Sequence, residues 1–539
     1  MKRIIYIVII LGLIQIACGA SASPLWGKYL TPTPPYELPI VSFNTDLPPV
    51  PVATATYATA TPPPTPTLNI NFKTPTLAPG QTFIEPTLTP TFNVAPILYY
   101  SQSGDTVPAI AKRFNITEAE VTSSEQLPSV GLIKPGTLLI IPDRINEDTT
   151  PNIQIMPDSE IIYSGTSVDF DIKSYVKQAG GHLSTYHEFL NSTGWSSGAQ
   201  TVERIAYENS INPRLLLALL EYESRWVTGQ PVDGLHTEYP MGFVDLRYKS
   251  GFMQMVWAVN QLSIGYYGWR AGTLTELKFP DGTKLRLDPN LNAGTVAIQY
   301  LFSRLHSQSQ WAQIINPETG FPAIYVQMFG DPWARAELVD PIFPPGLAQP
   351  DMVLPFDPNI EWSLTGGPHG AWEHDGALAA IDFAPSTDHG GCDPTTTWIV
   401  ASAPGLVVRS DNGVVMIDLD GDGFEQTGWD ILYLHVGTKD RVKVGTWVEV
   451  NDRIGHASCE GGVSTGTHLH FARKYNGEWV PADGPMPFVL DGWRVHQGKK
   501  PYEGSLVKGP KTVIADPVGQ LWSVIFRDPD VTPTPPQAP

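Results

Sequence analysis

The pattern of apolar and polar residues divides the chain into regions of different character. Residues 4–13 form an uninterrupted apolar run behind Lys2 and Arg3. From about residue 23 to residue 94 the sequence is dominated by Thr, Pro and Ala, with no apolar periodicity and almost no charge. Because such a segment cannot bury a core, we predict an extended Pro/Thr-rich linker over residues 23–95.

A small compact unit is predicted after the linker, over residues 96–143. Apolar residues at helical spacing, Val107, Ile110 and Phe114, predict a helix directly after the turn sequence GDT. A strand is expected before that turn, a second short helix after the first, and a closing strand over residues 137–141. The pattern predicts a βααβ module.

Longer helices are predicted over residues 165–350 and short strands over residues 355–498. In the first region, NPRLLLALLEYESRWV (residues 212–227) has apolar residues at helical spacing, and Asn212 with Pro213 is a favourable helix start. The second region has short alternating runs, such as WIVASAPGLVVRS and HLHFARKY, separated by Gly, Asn and Asp. The predicted fold class is multidomain, with the βααβ module, a mainly α domain and a mainly β domain.

Composition and charge narrow the possible functions. The chain has 539 residues, more than one core usually organises, and 42% of them are hydrophobic, enough for globular domains. Its 52 prolines are too many for domains alone, in keeping with the linker and with the Pro-rich end of a C-terminal tail over residues 499–539. The net charge of −20 argues against binding to nucleic acid, since that affinity comes from Lys and Arg.

The first 22 residues are predicted to be an export signal, with a basic start, an apolar core and small residues behind it. The apolar core is too short for a comfortable membrane span. The sequence ACG around Cys18 is similar to a lipoprotein cleavage site, which would put a lipid anchor on Cys18, although Gln15 stands where leucine is usual. Ordinary signal cleavage near residues 20–22 is the alternative. Both routes predict an extracytoplasmic protein, secreted or held at the cell surface.

The chain has three cysteines, Cys18, Cys392 and Cys459. If Cys18 carries lipid, the other two remain as a possible pair in an oxidising compartment. The sequence does not show that they are close in space, so two unpaired thiols are the alternative.

The β-rich region contains eight of the twelve histidines of the chain. His468 and His470 are two residues apart on a predicted strand, so their side chains leave the same face and can share one site. An isolated pair of this kind can also be an ordinary polar pair on a solvated sheet. Further residues are needed to indicate a metal.

The sequence around His468 and His470 resembles a known family, and this resemblance indicates further metal-site residues. The segments VASAPGLVV, ILYLHVG and CEGGVSTGTHLHF, with YNG after them, resemble the lysostaphin-type zinc endopeptidases, and most nearly their staphylolysin-like branch. The resemblance implies an antiparallel β domain over residues 355–498 that cuts peptide cross-bridges of peptidoglycan. It implies one zinc ion held by His369, Asp382 and His470, with His435 and His468 as catalytic histidines that act on water.

The first histidine ligand has two candidates. Most of the family has it four residues before the aspartate, where this chain has Leu378, whereas the staphylolysin-like branch has a gap of thirteen residues, which selects His369. His374, eight residues before Asp382, is the alternative. Three protein ligands leave a fourth zinc position open, as a catalytic site requires. The chain has no HExxH motif, so a thermolysin-like helix site is excluded.

A second metal candidate lies in the same region. Asp418, Asp420 and Asp422, followed by Gly423, have the DxDxDG spacing of a calcium loop. The twelfth position of such a loop is Trp429 here and not the usual Glu. Two interpretations remain, a Ca²⁺ site and an acidic hairpin turn without metal.

The βααβ module carries a resemblance of its own. Its GDT turn, its AIAKRFNIT helix and its PGTLLIIP ending resemble a LysM domain. The resemblance implies binding to glycans that contain N-acetylglucosamine, such as peptidoglycan, although SSEQL stands where an Asn-containing turn is common. A spacer without ligand is the alternative.

The mainly α region resembles the lysozyme-like lytic transglycosylases through LLALLEYESRWV and the later SGFMQM. The resemblance implies that Glu223 is the general acid and base for a glycosidic bond, with Gln254 in a facing turn. An inactive glycan-binding or spacer domain is the alternative.

These features together predict an exported cell-wall hydrolase. The LysM module would bind the glycan and the zinc domain would cut the peptide bridges. The resemblance of the helical domain implies a second activity, glycan cleavage. Two alternatives remain, a non-catalytic wall-binding or scaffold protein and a secreted peptidase that acts on Gly-rich proteins.

Overall fold

The computed structural model of the protein describes residues 95–372, 375–387 and 390–529. The predicted export signal, Cys18 and the linker up to residue 94 lie outside the described residues. His374 and the Pro-rich end of the chain also lie outside them.

None of the helices in the described ranges is both long and apolar enough to cross a membrane.

The first unit is the predicted βααβ module in a reduced form. Strands β1 (Ile97–Tyr100) and β2 (Leu138–Ile141) pair antiparallel, and helix α1 (Val107–Arg113) lies between them in the chain. The predicted second helix is only a three-residue 3₁₀ turn, Glu118–Glu120, because the backbone becomes extended again at Val121.

The middle of the chain is mainly helical, as predicted. Its helices are α2 (Ile172–Ala179), α3 (Gly198–Asn209), α4 (Pro213–Ser224), α5 (Gly234–Glu238), α6 (Gly251–Arg270), α7 (Ala293–Leu305), α8 (Gln308–Ile314), α9 (Phe321–Phe329) and α10 (Pro332–Ala336). Two hairpins interrupt them, β3 (His187–Leu190) with β4 (Gly194–Ser197) and β5 (Glu276–Lys278) with β6 (Lys284–Arg286). Asn212 caps α4 with its side chain, and Arg225 ends this helix in the left-handed region.

The C-terminal part is β-rich. Its strands are β7 (Glu361–His369), β8 (Ala380–Pro385), β9 (Trp398–Val400), β10 (Gly405–Asp411), β11 (Val414–Asp418), β12 (Trp429–Leu434), β13 (Trp447–Val448), β14 (Arg453–His456), β15 (Leu469–Tyr475), β16 (Glu478–Trp479), β17 (Val489–Leu490), β18 (Trp493–Gln497), β19 (Gly504–Lys508), β20 (Lys511–Ile514) and β21 (Val524–Phe526). The main sheet has nine antiparallel strands in the order β13-β10-β11-β12-β15-β8-β7-β21, with β16 paired to β15.

The central strands of the main sheet are buried on both faces. Along β12, Ile431 and Tyr433 belong to the core of the β domain, whereas Leu432 and Leu434 belong to a core shared with the helices. Successive strand residues point to opposite faces, so the helical domain covers one face of these central strands. Each apolar side chain buried in this way contributes about 1.5–3 kcal/mol.

The β domain continues beyond the predicted boundary at residue 498. Strands β19 and β20 pair with β18, and β21 pairs with β7 at the edge of the main sheet. The sequence assigns residues 499–529 to a tail, which is wrong for these strands. Their apolar residues form short alternating sets whose burial, as for Leu506 and Val513, depends on neighbouring strands.

The helical and β domains are joined by a buried charge cluster around Arg270, the last residue of α6. Its guanidinium lies 3.0 Å from Glu478 Oε2 and 3.0 Å from Asp158 Oδ2. Tyr266 donates its hydroxyl hydrogen to Glu478 at 2.7 Å. Burial alone would disfavour the charge on Arg270, but the carboxylates of Glu478 and Asp158 outweigh it and raise its pKa.

The LysM-like module packs on the same end of α6. Arg270 donates a hydrogen bond to the carbonyl of Ser103, in the turn after β1. Arg113 donates to the carbonyl of Trp269 at 2.9 Å and pairs with Asp105 at 2.7 Å. The end of α6 is therefore a junction of all three domains.

We expect the Arg270→Met variant to lose roughly 3–5 kcal/mol of its free energy of unfolding, since two buried carboxylates would be left without a counter-charge. Urea unfolding of the full chain measures this loss. Arg247→Met is the matched control, because Arg247 forms an ion pair with Asp245 at the surface of the same domain. A loss in Arg247→Met as large as in Arg270→Met would contradict the importance of the buried cluster.

Candidate metal centre

The candidate site is built from three neighbouring strands of the main sheet. His369 is the last residue of β7, Asp382 lies in β8 and His470 lies in β15. His470 and Asp382 are direct partners in the β15–β8 pairing, so their side chains project from the same face. The register between β7 and β8 shifts between Gly366 and His369, an irregularity of the kind that redirects a side chain.

The three side chains converge. His369 Nε2 lies 3.0 Å from His470 Nδ1, and each of these nitrogens lies 3.3 Å from Asp382 Oδ1. All three residues are at least 94% buried. Gly366 makes room for the carboxylate, because a Cβ at this position would lie only 2.5 Å from Asp382 Oδ2.

Backbone carbonyls fix which imidazole nitrogens carry hydrogen. His369 Nδ1 lies 2.8 Å from the carbonyl of Gly367, and His470 Nε2 lies 2.9 Å from the carbonyl of Ala371. Because a carbonyl oxygen can only accept, these two nitrogens donate. The lone pairs of His369 Nε2 and His470 Nδ1 are left facing Asp382, and this orientation by hydrogen bonds to the other nitrogen is typical of metal ligands.

The residues fit a zinc ion. Asp382 Oδ1 is buried and has no hydrogen-bond donor among the described residues. The ligand atoms of His369, Asp382 and His470 all lie within 4.8 Å of one another. Two imidazole nitrogens and one carboxylate oxygen are a donor set used by catalytic zinc sites. The three residues predicted from the sequence as ligands are therefore brought together.

The electrostatics of the cluster favour a charged aspartate. Burial opposes ionisation of Asp382, but the neighbouring His369 and His470 hold its pKa well below the usual range. Burial also opposes the charge on His369, and the Asp382 carboxylate outweighs it and raises the pKa of that imidazole. The pKa of His470 is lowered, because for this residue burial dominates.

The two histidines predicted to act on water lie beside the cluster. His468, directly before β15, has its Nε2 3.8 Å from Asp382 Oδ1, and its ring centroid lies 4.4 Å from that of His435. His435 Nδ1 and His468 Nδ1 donate to the carbonyls of Glu460 and Gly466, at 2.9 and 2.7 Å. Each residue therefore keeps the lone pair of Nε2 for the site.

His435 has an unusual backbone and an unusual environment. It follows β12 directly and has a φ of +67°, in the left-handed region that a residue other than glycine seldom adopts. Ser458 holds it there by donating both its N–H and its hydroxyl hydrogen to the His435 carbonyl. Burial and the neighbouring His468 and His470 lower the pKa of His435 to about 3. Strain of this kind is concentrated at functional sites.

Cys392 and Cys459 form a disulfide, which settles the question that the sequence left open. Residues next to both cysteines make hydrogen bonds that position the candidate site. Glu460, next to Cys459, binds His435 through its carbonyl. The carbonyls of Gly391 and Asp393, on either side of Cys392, accept from the N–H and hydroxyl of Thr467, the residue before His468. The disulfide therefore joins the two loops that position His435 and His468, the histidines predicted to act on water.

Tyr502 is a site residue that the sequence did not indicate. Its ring stacks on that of His369, with centroids 4.1 Å apart and planes inclined by 19°. Its N–H donates to the Pro368 carbonyl, and its own carbonyl accepts from Gly367. Burial and the Asp382 charge raise the pKa of its phenol. Only the pairing of β19 with β18 brings this residue back to the site, so residue spacing could not have found it.

The proposed catalytic residue of the helical domain lies at the end of α4. Glu223 Oε1 lies 3.2 Å from His306 Nε2, and its side chain is 11% exposed. Gln254 lies in the first turn of α6 and not in a separate turn, as the sequence suggested. Its side chain organises the loop before α6 by bonding to the backbone of Met241 and Phe243.

The three predicted calcium ligands also lie close together. Ligand oxygens of Asp418, Asp420 and Asp422 come within 4.8 Å of one another, in the loop between β11 and β12. Asp418 accepts from the N–H groups of Asp420, Gly421 and Gly423, which gives the loop a tight turn. Burial and the Asp418 carboxylate raise the pKa of Asp420 to about 6. This geometry is compatible with both interpretations of the loop.

Comparison with protein families assigns three segments. Residues 102–142 match the family model of the LysM domain, and residues 387–482 match that of peptidase family M23. The M23 match contains His435, His468 and His470, and it begins after His369 and Asp382. Residues 154–342 match the model of LasA, N-terminal domain, so the lysozyme-like interpretation of this region is not supported by its match.

Individual relatives and solved structures match different shares of the chain. Protease LasA of Pseudomonas aeruginosa is 27% identical over 375 residues, which are 66% of this chain and 81% of the relative. A beta-lytic metalloendopeptidase of Lysobacter enzymogenes is 24% identical over 153 residues, 28% of this chain and 80% of the relative. Among solved structures, the M23 metalloprotease pseudoalterin from the deep sea is 21% identical with a TM-score of 0.27, covering 33% of this chain and 100% of its own.

The M23 and LysM matches and the similarity to protease LasA agree with the resemblance found in the sequence. The matches therefore support the resemblance to the lysostaphin-type metalloendopeptidases of peptidase family M23, and they assign a LysM domain to residues 102–142.

Proposed function

We propose that this protein is an exported zinc endopeptidase that cuts the peptide cross-bridges of peptidoglycan. The observation that carries the proposal is the convergence of His369, Asp382 and His470, with His435 and His468 beside them. Three ligands with two further imidazoles at one end of a sheet are more than metal storage or a structural site requires.

The five residues would have two different roles, metal binding and proton transfer. His369, Asp382 and His470 would hold zinc, which lowers the pKa of water and polarises the scissile carbonyl when it is bound. His435 and His468 lie beside this cluster, and each keeps its Nε2 free of the backbone carbonyl that binds its Nδ1. An imidazole so placed can remove a proton from the attacking water and return it to the leaving amine.

The LysM domain would hold the enzyme on its substrate. The domain has a surface cavity of about 320 Å³, whose lining includes Gln126, Leu132, Lys134 and Thr137. Apolar surface together with amide, ammonium and hydroxyl groups suits a sugar that carries an N-acetyl group. An export signal at the start of the chain and the Pro/Thr-rich linker would place these domains outside the cytoplasm, with or without a lipid on Cys18.

We expect the purified full chain to contain one zinc ion that is lost in His369→Ala and in His470→Ala, because each change removes a ligand. His496→Ala is the matched control, since His496 lies on β18 outside the cluster. Metal analysis after gel filtration measures the zinc, and circular dichroism checks the fold. His374→Ala should retain zinc; loss there with retention in His369→Ala would make His374 the ligand.

We expect His468→Ala and His435→Ala to release new amino termini from purified peptidoglycan at least about a hundredfold more slowly while keeping zinc, because they lose proton transfer and not a ligand. Mass analysis of the released fragments measures this. Wall binding without any release by the native chain would favour a scaffold protein. Digestion of a Gly-rich protein but not of the wall would favour a peptidase of other proteins.

Glycan cleavage by Glu223 remains a separate prediction, which rests on the sequence resemblance and on the contact of Glu223 with His306. We expect anhydro-sugar ends among the fragments from the native chain and none from Glu223→Gln. Glu221→Gln is the control, because Glu221 accepts from Val227 and Thr228 in the loop after α4. Absence of these ends from the native digest would leave the helical domain without this activity.

A further inference from the structure

We propose that the loop between β11 and β12 binds a calcium ion, with Asp418, Asp420 and Asp422 as ligands and Asp430 closing the base of the site. This site is separate from the zinc centre, and the proposal does not rest on the peptidase activity.

The first observation is the position of three carboxylates on one short loop. Oxygens of Asp418, Asp420 and Asp422 approach within 4.8 Å of one another. Asp418 is fully buried, whereas Asp420 and Asp422 are exposed, so the cluster opens to solvent from a buried base. An ion could enter from the open side.

The second observation is a buried carboxylate without a partner. Asp430 is 0% exposed, and neither of its oxygens has a hydrogen-bond partner among the described residues. It pairs with Asp418 in the β11–β12 register, so the two side chains leave the same face of the sheet as close neighbours. A carboxylate buried in such a place is costly to ionise unless a cation is near.

The nearby cations are already engaged. Lys474 Nζ lies 2.9 Å from Glu425 Oε2, and Arg409 lies 3.1 Å from the same oxygen. Lys474 is the cross-strand neighbour of Asp430 on its other side, but it makes no hydrogen bond to it. Both cations therefore pair with Glu425, and one divalent cation would balance much of the charge of the four proposed carboxylates, Asp418, Asp420, Asp422 and Asp430.

The structure also offers a carboxylate in place of the Glu that is missing from the twelfth position of the loop. The twelfth loop position is Trp429, which cannot bind metal, but the next residue, Asp430, is the one that lies opposite Asp418 at the base of the loop. Gly423 has a φ of +91°, which the sharp turn of a calcium loop requires. Since every donor is oxygen, calcium suits the site better than zinc.

The loop is placed where an ion would affect two domains. Thr427 packs against Gly165 of the helical domain, and β12 leads from the loop directly to His435. An ion here would hold the loop against the helices and fix one end of the strand that precedes a catalytic histidine.

Calcium titration of the full chain tests the proposal. The protein, with its zinc content measured, is dialysed into buffer free of calcium and titrated with CaCl₂ by isothermal calorimetry. We expect one Ca²⁺ per chain, a melting temperature raised on the order of 5 °C at a hundredfold excess over Kd, and unchanged zinc content. In Asp420→Asn/Asp422→Asn the affinity should fall at least about tenfold, and Asp430→Asn should weaken it as well.

The matched control is Asp351→Asn/Glu318→Gln, which removes the same charge from two exposed acidic residues outside the loop. It should bind Ca²⁺ like the native chain. The proposal is overturned if the native chain binds no Ca²⁺ at millimolar concentration, or if the loop variant binds as tightly as the control. It is also overturned if Asp430→Asn raises the melting temperature equally with and without Ca²⁺, because Asp430 would then be held as a neutral acid.

Discussion

The burial of the main sheet on both faces is the constraint on which the rest of the structure depends. Antiparallel sheets commonly leave one face to water, but here Leu432 and Leu434 face the helices while Ile431 and Tyr433 face the core of the β domain. Burial of this apolar face against the helices therefore stabilises the arrangement of the two domains. The cluster of Arg270, Asp158 and Glu478 lies within that contact and fixes how the two domains meet.

The candidate centre uses the same sheet. Antiparallel register places Asp382 beside His470, and the irregular end of β7 adds His369. Carbonyls of Gly367 and Ala371 then orient both imidazoles, so the donor atoms are set before a metal arrives. His470 leaves β15 on the same side as Ala472, which belongs to the core shared with the helices. The candidate metal centre therefore lies on the face of the sheet that the helices cover.

Loops far apart in sequence complete the site. The Cys392–Cys459 disulfide joins the segment that holds His435 to the segment that holds Thr467, next to His468. Tyr502 returns from beyond the predicted end of the domain and stacks on His369. Neither contact could be predicted from residue spacing, because each joins segments that are far apart in the sequence and meet only when the strands around them pair.

The sequence by itself determined the division into a small βααβ module, a helical region and a β-rich region, since local periodicity reports which face of each element is apolar. The resemblance to the lysostaphin-type endopeptidases named His369, Asp382, His435, His468 and His470 as one set, with His374 as the alternative to His369. Only the tertiary structure decided that Cys392 and Cys459 pair, that the β domain runs to Phe526, and that Asp430 lies opposite Asp418. These three features depend on which strands become neighbours. The free energy that favours one strand order over another comes from burial across the whole sheet rather than from adjacent residues.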